Sequence, residues 1–316
     1  MPHATARALI ASANRILLFT HVAPDGDALG SLLGLSFALR AIGKETACIS
    51  PDGCPETFRF LPGSDEIAKK AKGNFDLVIT VDCGDFARTG KPGESLGRAP
   101  DINIDHHATN PGFATLNFVD ADSVATAQLI AELLPAFGLP LTQPAAECLL
   151  CGVVSDTLGF RTSNTNARAL STAQKLMAAG ADLPRTYDQA LNRRSYSAVL
   201  LWGQALSRTL LDGGLAWTTI PLAAKQAAGY NGKGDADVIN VLGTIGEARV
   251  FVVLTETDDG EVKVSWRARP GFDVSRVAQT FGGGGHVAAA GATVKGALAE
   301  VEAKVLAATK QMLNAE

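Results

Sequence analysis

The sequence of 316 residues contains no run of lysine and arginine, and its formal net charge is −4. A protein that follows a long nucleic acid needs a basic track that neutralises many phosphates, so no long duplex is expected as a partner. An apolar run of about 18 residues, the length of a membrane-spanning helix, is also missing. Arg7 and Arg15 interrupt an N-terminus without the apolar core of a signal peptide. We therefore expect a cytoplasmic protein without a membrane partner.

Cysteine is scarce and odd in number, with five residues in the chain. Cys148 and Cys151 have C-x-x-C spacing, but they lie in an apolar run and no second pair completes a zinc site. The pattern predicts buried core thiols in a reducing compartment.

The first half of the chain alternates strand and helix patterns. Apolar runs predict strands at 16–20, 46–50, 76–81 and 102–104, and amphipathic runs predict helices at 28–42, 123–137, 143–153 and 165–179. Such alternation favours an α/β fold in which a parallel sheet carries helices on both faces.

After Gly180 the pattern changes. Strands are predicted at 215–220, 248–256 and 261–267, and helices at 197–211, 274–280 and 297–313. We predict an N-terminal catalytic domain over 1–180, a linker over 181–196, and a smaller α/β substrate-binding domain over 197–316.

Although the chain has only five histidines, three of them lie among closely spaced aspartates, just after predicted strands. The side chains concerned are His21 with Asp25 and Asp27, then Asp82, then the consecutive Asp105, His106 and His107. Asp156 follows a further apolar run. Because ligands bind outside the carboxyl ends of parallel strands, we expect these side chains to converge in one crevice.

Taken singly, each aspartate has a structural alternative. Asp27 could be a helix N-cap, Asp25 a turn former, and Asp82 and Asp156 turn or helix caps. Together with histidines they form a donor set of nitrogen and oxygen, which suits Mn²⁺, with Mg²⁺, Fe²⁺ or Co²⁺ as alternatives. Because clustered carboxylates repel one another, bound metal is expected to stabilise the fold. Two metals about 3.5–4 Å apart share and activate a water, which is the chemistry of phosphoester hydrolysis.

The second half adds a glycine run, residues 282–285, followed by His286. Glycines let backbone N–H groups approach an anion, and a helix beginning at Val287 would add its dipole. Arg267 and Arg269 precede the run and could clamp a phosphate. The alternatives are a flexible connection and solvated surface charge.

Four segments resemble the catalytic motifs of the DHH phosphoesterase family, and they are residues 21–27, 81–85, 105–107 and 152–157. Residues 282–291 resemble part of its DHH-associated C-terminal domain, so the resemblance spans nearly the whole chain. It is strongest to the short nanoRNase, or oligoribonuclease/pAp-phosphatase, branch. The resemblance implies Mn²⁺-dependent hydrolysis of RNAs a few nucleotides long to mononucleotides, of 3′-phosphoadenosine 5′-phosphate (pAp) to AMP, or of both.

The resemblance also implies roles for individual residues. Two Mn²⁺ ions, or Mg²⁺ or Co²⁺, would be held by His21, Asp25 and Asp82 and by Asp27, Asp82, His106 and Asp156, with Asp82 bridging. Asp105 would orient the site, and His107 would contact the scissile phosphate. The implied substrate-binding residues are Arg267, Gly283, Gly284, Gly285 and His286.

Other readings stay open at this point. They are a cyclic-di-AMP or pApA phosphodiesterase, a RecJ-like single-strand exonuclease, a manganese inorganic pyrophosphatase, and a nucleotide sensor without turnover. The sensor would need a damaged metal site, whereas each implied metal ligand is present in the sequence. Family members are often dimers, so the resemblance also allows a homodimer.

Overall fold

The computed structural model describes residues 2–232 and 234–315, which divide into two compact units with a boundary between Arg193 and Arg194. The first unit contains, in chain order, α1 (Pro2–Ser12), β1 (Arg15–Phe19), α2 (Gly26–Arg40), β2 (Glu45–Ile49), β3 (Leu77–Val81), α3 (Gly90–Glu94), β4 (Ile102–Asp105), β5 (Leu116–Val119), α4 (Thr126–Phe137), α5 (Gln143–Asp156), α6 (Ala167–Ala178) and α7 (Leu183–Tyr187). Single helical turns lie at Glu56–Phe58, Ser64–Glu66, Phe86–Thr89 and Asp188–Asn192.

The five strands of the first unit form one parallel sheet in the order β2-β1-β3-β4-β5. Alternate residues of β1 are buried in different clusters: Ile16 and Leu18 pack with the helices, and Leu17 and Phe19 pack near Phe75. Burial on both faces explains the continuous apolar runs that predicted these strands. The α/β fold of the first unit is therefore confirmed.

Helices α2 and α5 approach each other closely because glycines line their contact. A Cβ atom on Gly30 would lie 2.4 Å from the carbonyl oxygen of Cys148. One on Gly152 would lie 2.5 Å from Cβ of Ala127 and 2.8 Å from Oδ1 of Asp27. Since no side chain fits there, the end of α5 lies against the beginning of α2, and both ends carry candidate metal ligands.

The second unit contains, in chain order, α8 (Tyr196–Leu206), β6 (Leu210–Asp212), β7 (Leu215–Ile220), α9 (Leu222–Ala228), α10 (Val238–Leu242), β8 (Val250–Glu256), β9 (Glu261–Ala268), α11 (Val274–Thr280), β10 (Gly284–His286), β11 (Ala289–Lys295) and α12 (Leu298–Ala315). Its strands form a mixed sheet in the order β10-β11-β9-β8-β7-β6. Trp266 of β9 is completely buried in its core and donates from Nε1 to Oγ1 of Thr309 at 3.1 Å.

Several elements differ from the sequence-based predictions. The helix predicted at 197–211 ends at Leu206, and Leu210–Asp212 forms a strand. The helix expected to begin at Val287 is wrong, because residues 287 and 288 form the turn between β10 and β11.

Cys148 and Cys151 are free and buried, as predicted. Among the described residues, no helix has the length and apolar character needed to cross a membrane.

Candidate metal centre

His21 follows β1 and presents one ring nitrogen to the carboxylates. Its Nδ1 lies 2.7 Å from the carbonyl oxygen of Val22. Its Nε2 lies 3.4 Å from Oδ2 of Asp82 and 4.0 Å from Oδ1 of Asp25. A ring whose Nδ1–H is held by a carbonyl directs the lone pair of Nε2 outward, which is the arrangement that metal-binding histidines adopt.

Asp25 and Asp27 have different roles at the beginning of α2. Oδ1 of Asp25 accepts from the N–H groups of Asp27 and Ala28 at 3.1 and 3.0 Å, so Asp25 is the N-cap and the alternative that placed Asp27 there is wrong. Asp27 is almost completely buried. Its carboxylate accepts from the N–H groups of Thr126 at 2.6 Å and Ala127 at 2.9 Å. The beginning of α4 thus fixes the Asp27 side chain.

Asp82 lies at the centre of the candidate site. It follows β3 with a φ of 55°, a left-handed conformation that is uncommon for residues other than glycine. Thr126 donates from its hydroxyl to Oδ1 of Asp82 at 2.9 Å. Nε2 of His106 and Nδ1 of His107 lie 3.7 and 3.8 Å from the same oxygen. His21, which follows β1, also approaches Asp82. Asp82 is therefore within reach of imidazoles that follow two different strands, β1 and β4.

His106 and Asp156 complete the cluster. Nδ1 of His106 lies 3.2 Å from the carbonyl oxygen of Ser123, and its Nε2 lies 3.9 Å from Asp27 and 3.7 Å from Asp156. Asp156 is the last residue of α5, so a helix rather than a strand delivers this carboxylate. The close contact between α2 and α5 accounts for its position.

Asp105 holds the neighbouring histidine. It ends β4, is completely buried, and its Oδ1 lies 2.7 Å from Nδ1 of His107. Asn110 donates to Oδ2 of Asp105 at 2.6 Å and to the carbonyl oxygen of Cys83 at 3.0 Å. A Cβ on Gly84 would lie 3.2 Å from Cβ of His107, so glycine gives this ring its space.

The electrostatics of the cluster separate its carboxylates. Burial opposes charge on Asp82, but the hydrogen bond with His21 and the positive charge of His106 outweigh burial and lower its pKa to about 2. Burial, with the charge of Asp82 acting in the same direction, raises the pKa of Asp27 well above its usual range. The same causes raise the pKa of Asp156 to about 7. Without a cation, these carboxylates cannot all be charged at neutral pH.

Three groups of side chains could therefore hold a metal ion. Within each group one ligand atom per residue lies within 4.8 Å of the others, and the groups are His21 with Asp25 and Asp82, Asp27 with His106 and Asp156, and Asp82 with His106 and His107. The structure thus brings together every side chain that the sequence marked as a metal ligand. The carboxylates and imidazoles form the donor set that suits Mn²⁺ or Mg²⁺.

In the second unit the glycine run forms a hairpin. Gly284–His286 pair with β11, with Gly285 opposite Ala290 and His286 opposite Ala289. A Cβ on Gly283 would lie 2.1 Å from the carbonyl oxygen of Gly291, so close strand packing requires a glycine there. Two of the N–H groups in the run, those of residues 282 and 283, donate to carbonyls of α11.

Arg267 and Arg269 differ in what they contact. Arg269 donates to the carbonyl oxygens of Ala248 at 2.8 Å and Ile245 at 3.0 Å, so backbone groups already occupy its guanidinium. Arg267 donates from Nη1 to the carbonyl oxygen of Trp266 at 3.0 Å. Burial lowers the pKa of Arg267, against the opposing charge of Asp235.

The sequence-based prediction missed three residues beside the centre: Thr126, Asn110 and Arg88. The hydroxyl of Thr126 bonds a residue 44 positions away, and Asn110 bonds Cys83 across 27 positions. Arg88 lies beside His21, with Nη2 3.2 Å from Nδ1. No local pattern marks such distant contacts, although Arg88 follows the second motif closely.

Comparison with known proteins extends over nearly the whole chain. The model of the DHH family, N-terminal domain, matches residues 15–153, and that of the DHHA1 domain matches residues 219–315. The chain is 37% identical over 305 residues to the bifunctional oligoribonuclease and PAP phosphatase NrnA of Thermus thermophilus, covering 95% of this chain and 90% of that protein. It is 29% identical over 287 residues to the Bacillus subtilis protein of the same name, covering 88% and 89% of the two chains.

A solved structure has the same fold along its length. The crystal structure of an exopolyphosphatase-related protein from Bacteroides fragilis aligns with a TM-score of 0.91 and 25% identity, covering 99% of this chain and 95% of that one.

Proposed function

The chain belongs to the DHH family and is a metal-dependent phosphoester hydrolase, and we propose that it uses Mn²⁺ to hydrolyse very short oligoribonucleotides to mononucleotides and pAp to AMP. The similarity to two proteins named as oligoribonuclease and PAP phosphatase supports these substrates. The net charge of −4 also favours small substrates over long strands.

The observation that carries the proposal is the convergence of six donors around one buried carboxylate. Asp82 is 2% exposed and belongs to two of the three candidate groups. We propose that one ion is held by His21, Asp25 and Asp82, and the other by Asp27, Asp82, His106 and Asp156. The carbonyls that hold Nδ1 of both histidines support this assignment, because they direct Nε2 toward the carboxylates.

Divalent cations at these positions supply positive charge and an activated water for attack on phosphorus. The protein itself supplies the position of His107. Asp105 accepts from Nδ1 of His107, which fixes the tautomer and leaves Nε2 for a substrate oxygen. We propose that His107 contacts the scissile phosphate and donates a proton to the leaving oxygen. Its pKa favours that role, since the hydrogen bond with Asp105 raises it above the usual value.

We further propose that Arg267, Gly283, Gly284, Gly285 and His286 bind another phosphate or the sugar of the substrate. Strand register supports this grouping: Arg267 lies opposite Ala289, and Ala289 lies opposite His286. Directly opposed residues share one face of a sheet, and the small Ala289 leaves space between the two longer side chains. The edge position of β10 exposes backbone groups to a ligand.

One panel of reactions tests the proposal. Metal-stripped protein would be incubated with a 5′-phosphorylated RNA dinucleotide, a longer RNA, pAp, cyclic di-AMP or pyrophosphate, each with Mn²⁺ or with EDTA. Products would be identified by mass. We expect mononucleotides from the dinucleotide and AMP from pAp, with Mn²⁺ only, and no product from Asp82→Asn. Asp120→Asn, which alters a carboxylate paired with Arg168 instead, serves as the matched control.

The other outcomes assign a different function. Cleavage of pyrophosphate alone would place the protein with the pyrophosphatases, and cleavage of the longer RNA alone would indicate an exonuclease for single strands. Cyclic di-AMP as the only substrate would indicate a cyclic dinucleotide phosphodiesterase.

The free cysteines are consistent with the cytoplasmic location that we propose for the activity. The proposed homodimer is tested by light scattering of the same preparation.

A further inference from the structure

Arg88 places a guanidinium group beside the candidate metal centre. It lies in the helical turn Phe86–Thr89, which Asp85 caps by accepting from the N–H of Ala87 at 2.8 Å. The carbonyl oxygen of Arg88 accepts from the N–H of Val22 at 2.8 Å, so its backbone is tied to the loop after β1. Nη2 of Arg88 lies 3.2 Å from Nδ1 of His21. A fixed turn therefore places this exposed residue beside the cluster.

The contact between Arg88 and His21 cannot be a hydrogen bond when His21 binds a metal through Nε2. Nδ1 of His21 lies 2.7 Å from the carbonyl oxygen of Val22, which can only accept, so Nδ1 carries a proton in that bond. A guanidinium group has donors and no acceptor, so Arg88 cannot bond to a protonated Nδ1. The tautomer that leaves Nε2 of His21 for a metal thus leaves the guanidinium to another acceptor.

No acidic side chain of the described part of the chain supplies that acceptor. Arg88 forms no ion pair there, whereas Arg98 pairs with Asp101 at 2.7 Å and Arg168 pairs with Asp120 at 2.7 Å. Arg88 is also exposed, so its guanidinium group is accessible to a bound ligand.

We propose that Arg88 binds the scissile phosphate directly, as a substrate-binding residue from outside the metal ligands. A guanidinium group matches two phosphate oxygens at once, and it stabilises the negative charge that grows on them during phosphoryl transfer. Arg88 lies beside His21, and His21 and His107 approach the carboxylate of Asp82 at 3.4 and 3.8 Å, so this position suits an anion bound at the same centre. The inference rests on the proposed function, because that function supplies a phosphate at this centre.

The test separates binding of phosphate from support of His21. Arg88→Met, Arg88→Lys and the wild type are compared with Arg98→Met. Its partner Asp101 precedes β4, at the amino end of a strand whose carboxyl end carries the candidate site. Isothermal titration calorimetry gives the affinity of each metal-stripped protein for Mn²⁺. A second titration gives the affinity of each Mn²⁺-loaded protein for AMP and for inorganic phosphate. Turnover of pAp is measured alongside.

We expect Arg88→Met to bind Mn²⁺ as the wild type does and to lose about tenfold or more in affinity for AMP and phosphate. Arg88→Lys should lose less, because it keeps the charge without the planar fork. Arg98→Met should match the wild type in both titrations. For turnover of pAp, kcat/KM of Arg88→Met should fall by about 100-fold.

Two results would overturn the inference. One is a loss of Mn²⁺ affinity in Arg88→Met with unchanged affinity for AMP once loaded, which would make Arg88 a support for His21. The other is that Arg88→Met binds AMP and phosphate with the same affinity as the wild type, or that neither protein binds them. A wild type that binds AMP through Arg88 but hydrolyses nothing in the panel would refute the proposed function and leave this inference standing.

Discussion

The hydroxyl of Thr126 donates a hydrogen bond to Oδ1 of Asp82 at 2.9 Å. The N–H of the same residue donates to Oδ2 of Asp27 at 2.6 Å. Thr126 is completely buried at the beginning of α4, so one rigid residue orients two carboxylates that we assign to the same metal ion, and one of them, Asp82, is also assigned to the other ion. Such partners fix the direction of a ligand's lone pairs and its distance from the metal.

Replacing the hydroxyl of Thr126 by a methyl group should weaken metal binding without leaving a cavity. We expect Thr126→Val to lower kcat/KM and Mn²⁺ affinity by about 10–100-fold, because Oδ1 of Asp82 loses its buried donor. Thr126→Ser keeps the hydroxyl and should stay within about threefold of the wild type. Titration with Mn²⁺ and kinetics with pAp measure both effects. Equal losses in the valine and serine variants would mean that packing of the methyl group matters more than the hydrogen bond.

The strands that deliver the site could be predicted because they are buried on both faces. β1 and β3 appear in the sequence as unbroken apolar runs, and the ligand-type residues follow them directly. The shortest strands left no such trace. Gly284–His286 is glycine-rich and exposed, with no alternation to mark a strand, so a helix was wrongly expected after it.

The candidate site was predictable where its residues are close in sequence. His21, Asp25 and Asp27 fall within one strand-to-helix turn, so their spacing, together with the residues after the other strands, indicated a shared pocket. Thr126 and Arg88 were missed because each contacts a residue more than 40 positions away. Tertiary packing creates those relationships, because α4 begins beside Asp82 and the turn that holds Arg88 bonds to the loop after β1. Single-sequence patterns do not encode such packing.

Metal should stabilise the first unit through Asp82. At a free Mn²⁺ concentration about 100 times Kd, binding adds about 2.7 kcal/mol to the free energy of unfolding. For a domain of this size we expect the melting temperature to rise by about 5–10 °C. Asp82→Asn should lose most of that rise, and Asp120→Asn should keep it. A melting temperature of the wild type that does not change with Mn²⁺ would contradict the metal assignment.

Gly152 should tolerate no side chain. A Cβ there would lie 2.5 Å from Cβ of Ala127 and 2.8 Å from Oδ1 of Asp27. We expect Gly152→Ala to lower the free energy of unfolding by about 1–3 kcal/mol and to reduce Mn²⁺ affinity by displacing Asp27. Gly203 of α8 is the matched control, since nothing lies within 4 Å of a Cβ at that position. Gly203→Ala should be neutral or stabilising by up to about 1 kcal/mol, because alanine favours a helix.

The metal-free protein should lose stability as pH rises through the weakly acidic range. Burial and the charge of Asp82 raise the pKa of Asp156 to about 7 in the folded chain, against about 3.9 for an aspartate in water. Between these values the folded state binds more protons than the unfolded state, so the free energy of unfolding falls with rising pH. Because about a third of the side chain is exposed, we expect Asp156 to contribute only about 1–2 kcal/mol across this range.

The pKa of Asp82 is lowered to about 2, so its effect on stability depends on pH in the opposite direction. The stability that Asp82 contributes is lost only when the pH falls into strong acid. Urea unfolding of EDTA-treated protein between about pH 4 and 7 measures the slope. Asp156→Asn should be less sensitive to pH over this range and more stable than the wild type at pH 7. A slope unchanged by the substitution would show that Asp156 ionises freely in the folded state.

Asp105 should act on catalysis through the tautomer of His107. Its Oδ1 lies 2.7 Å from Nδ1 of His107, and Asn110 donates to the other oxygen at 2.6 Å. In Asp105→Asn, an NH₂ group replaces one of the two carboxylate oxygens. Either His107 or Asn110 therefore loses its acceptor. We expect kcat to fall by about 10³–10⁴-fold, as a wrong tautomer does in other enzymes.

A purely structural role for Asp105 would give a different result. The carboxylate raises the pKa of His107, so its loss should move the His107-dependent limb of the pH–rate profile to lower pH. Mn²⁺ affinity should stay within about threefold of the wild type, because Asp105 belongs to none of the three candidate metal groups. A parallel loss of Mn²⁺ affinity and activity, with the pH profile unmoved, would assign Asp105 to holding the metal centre instead of the imidazole.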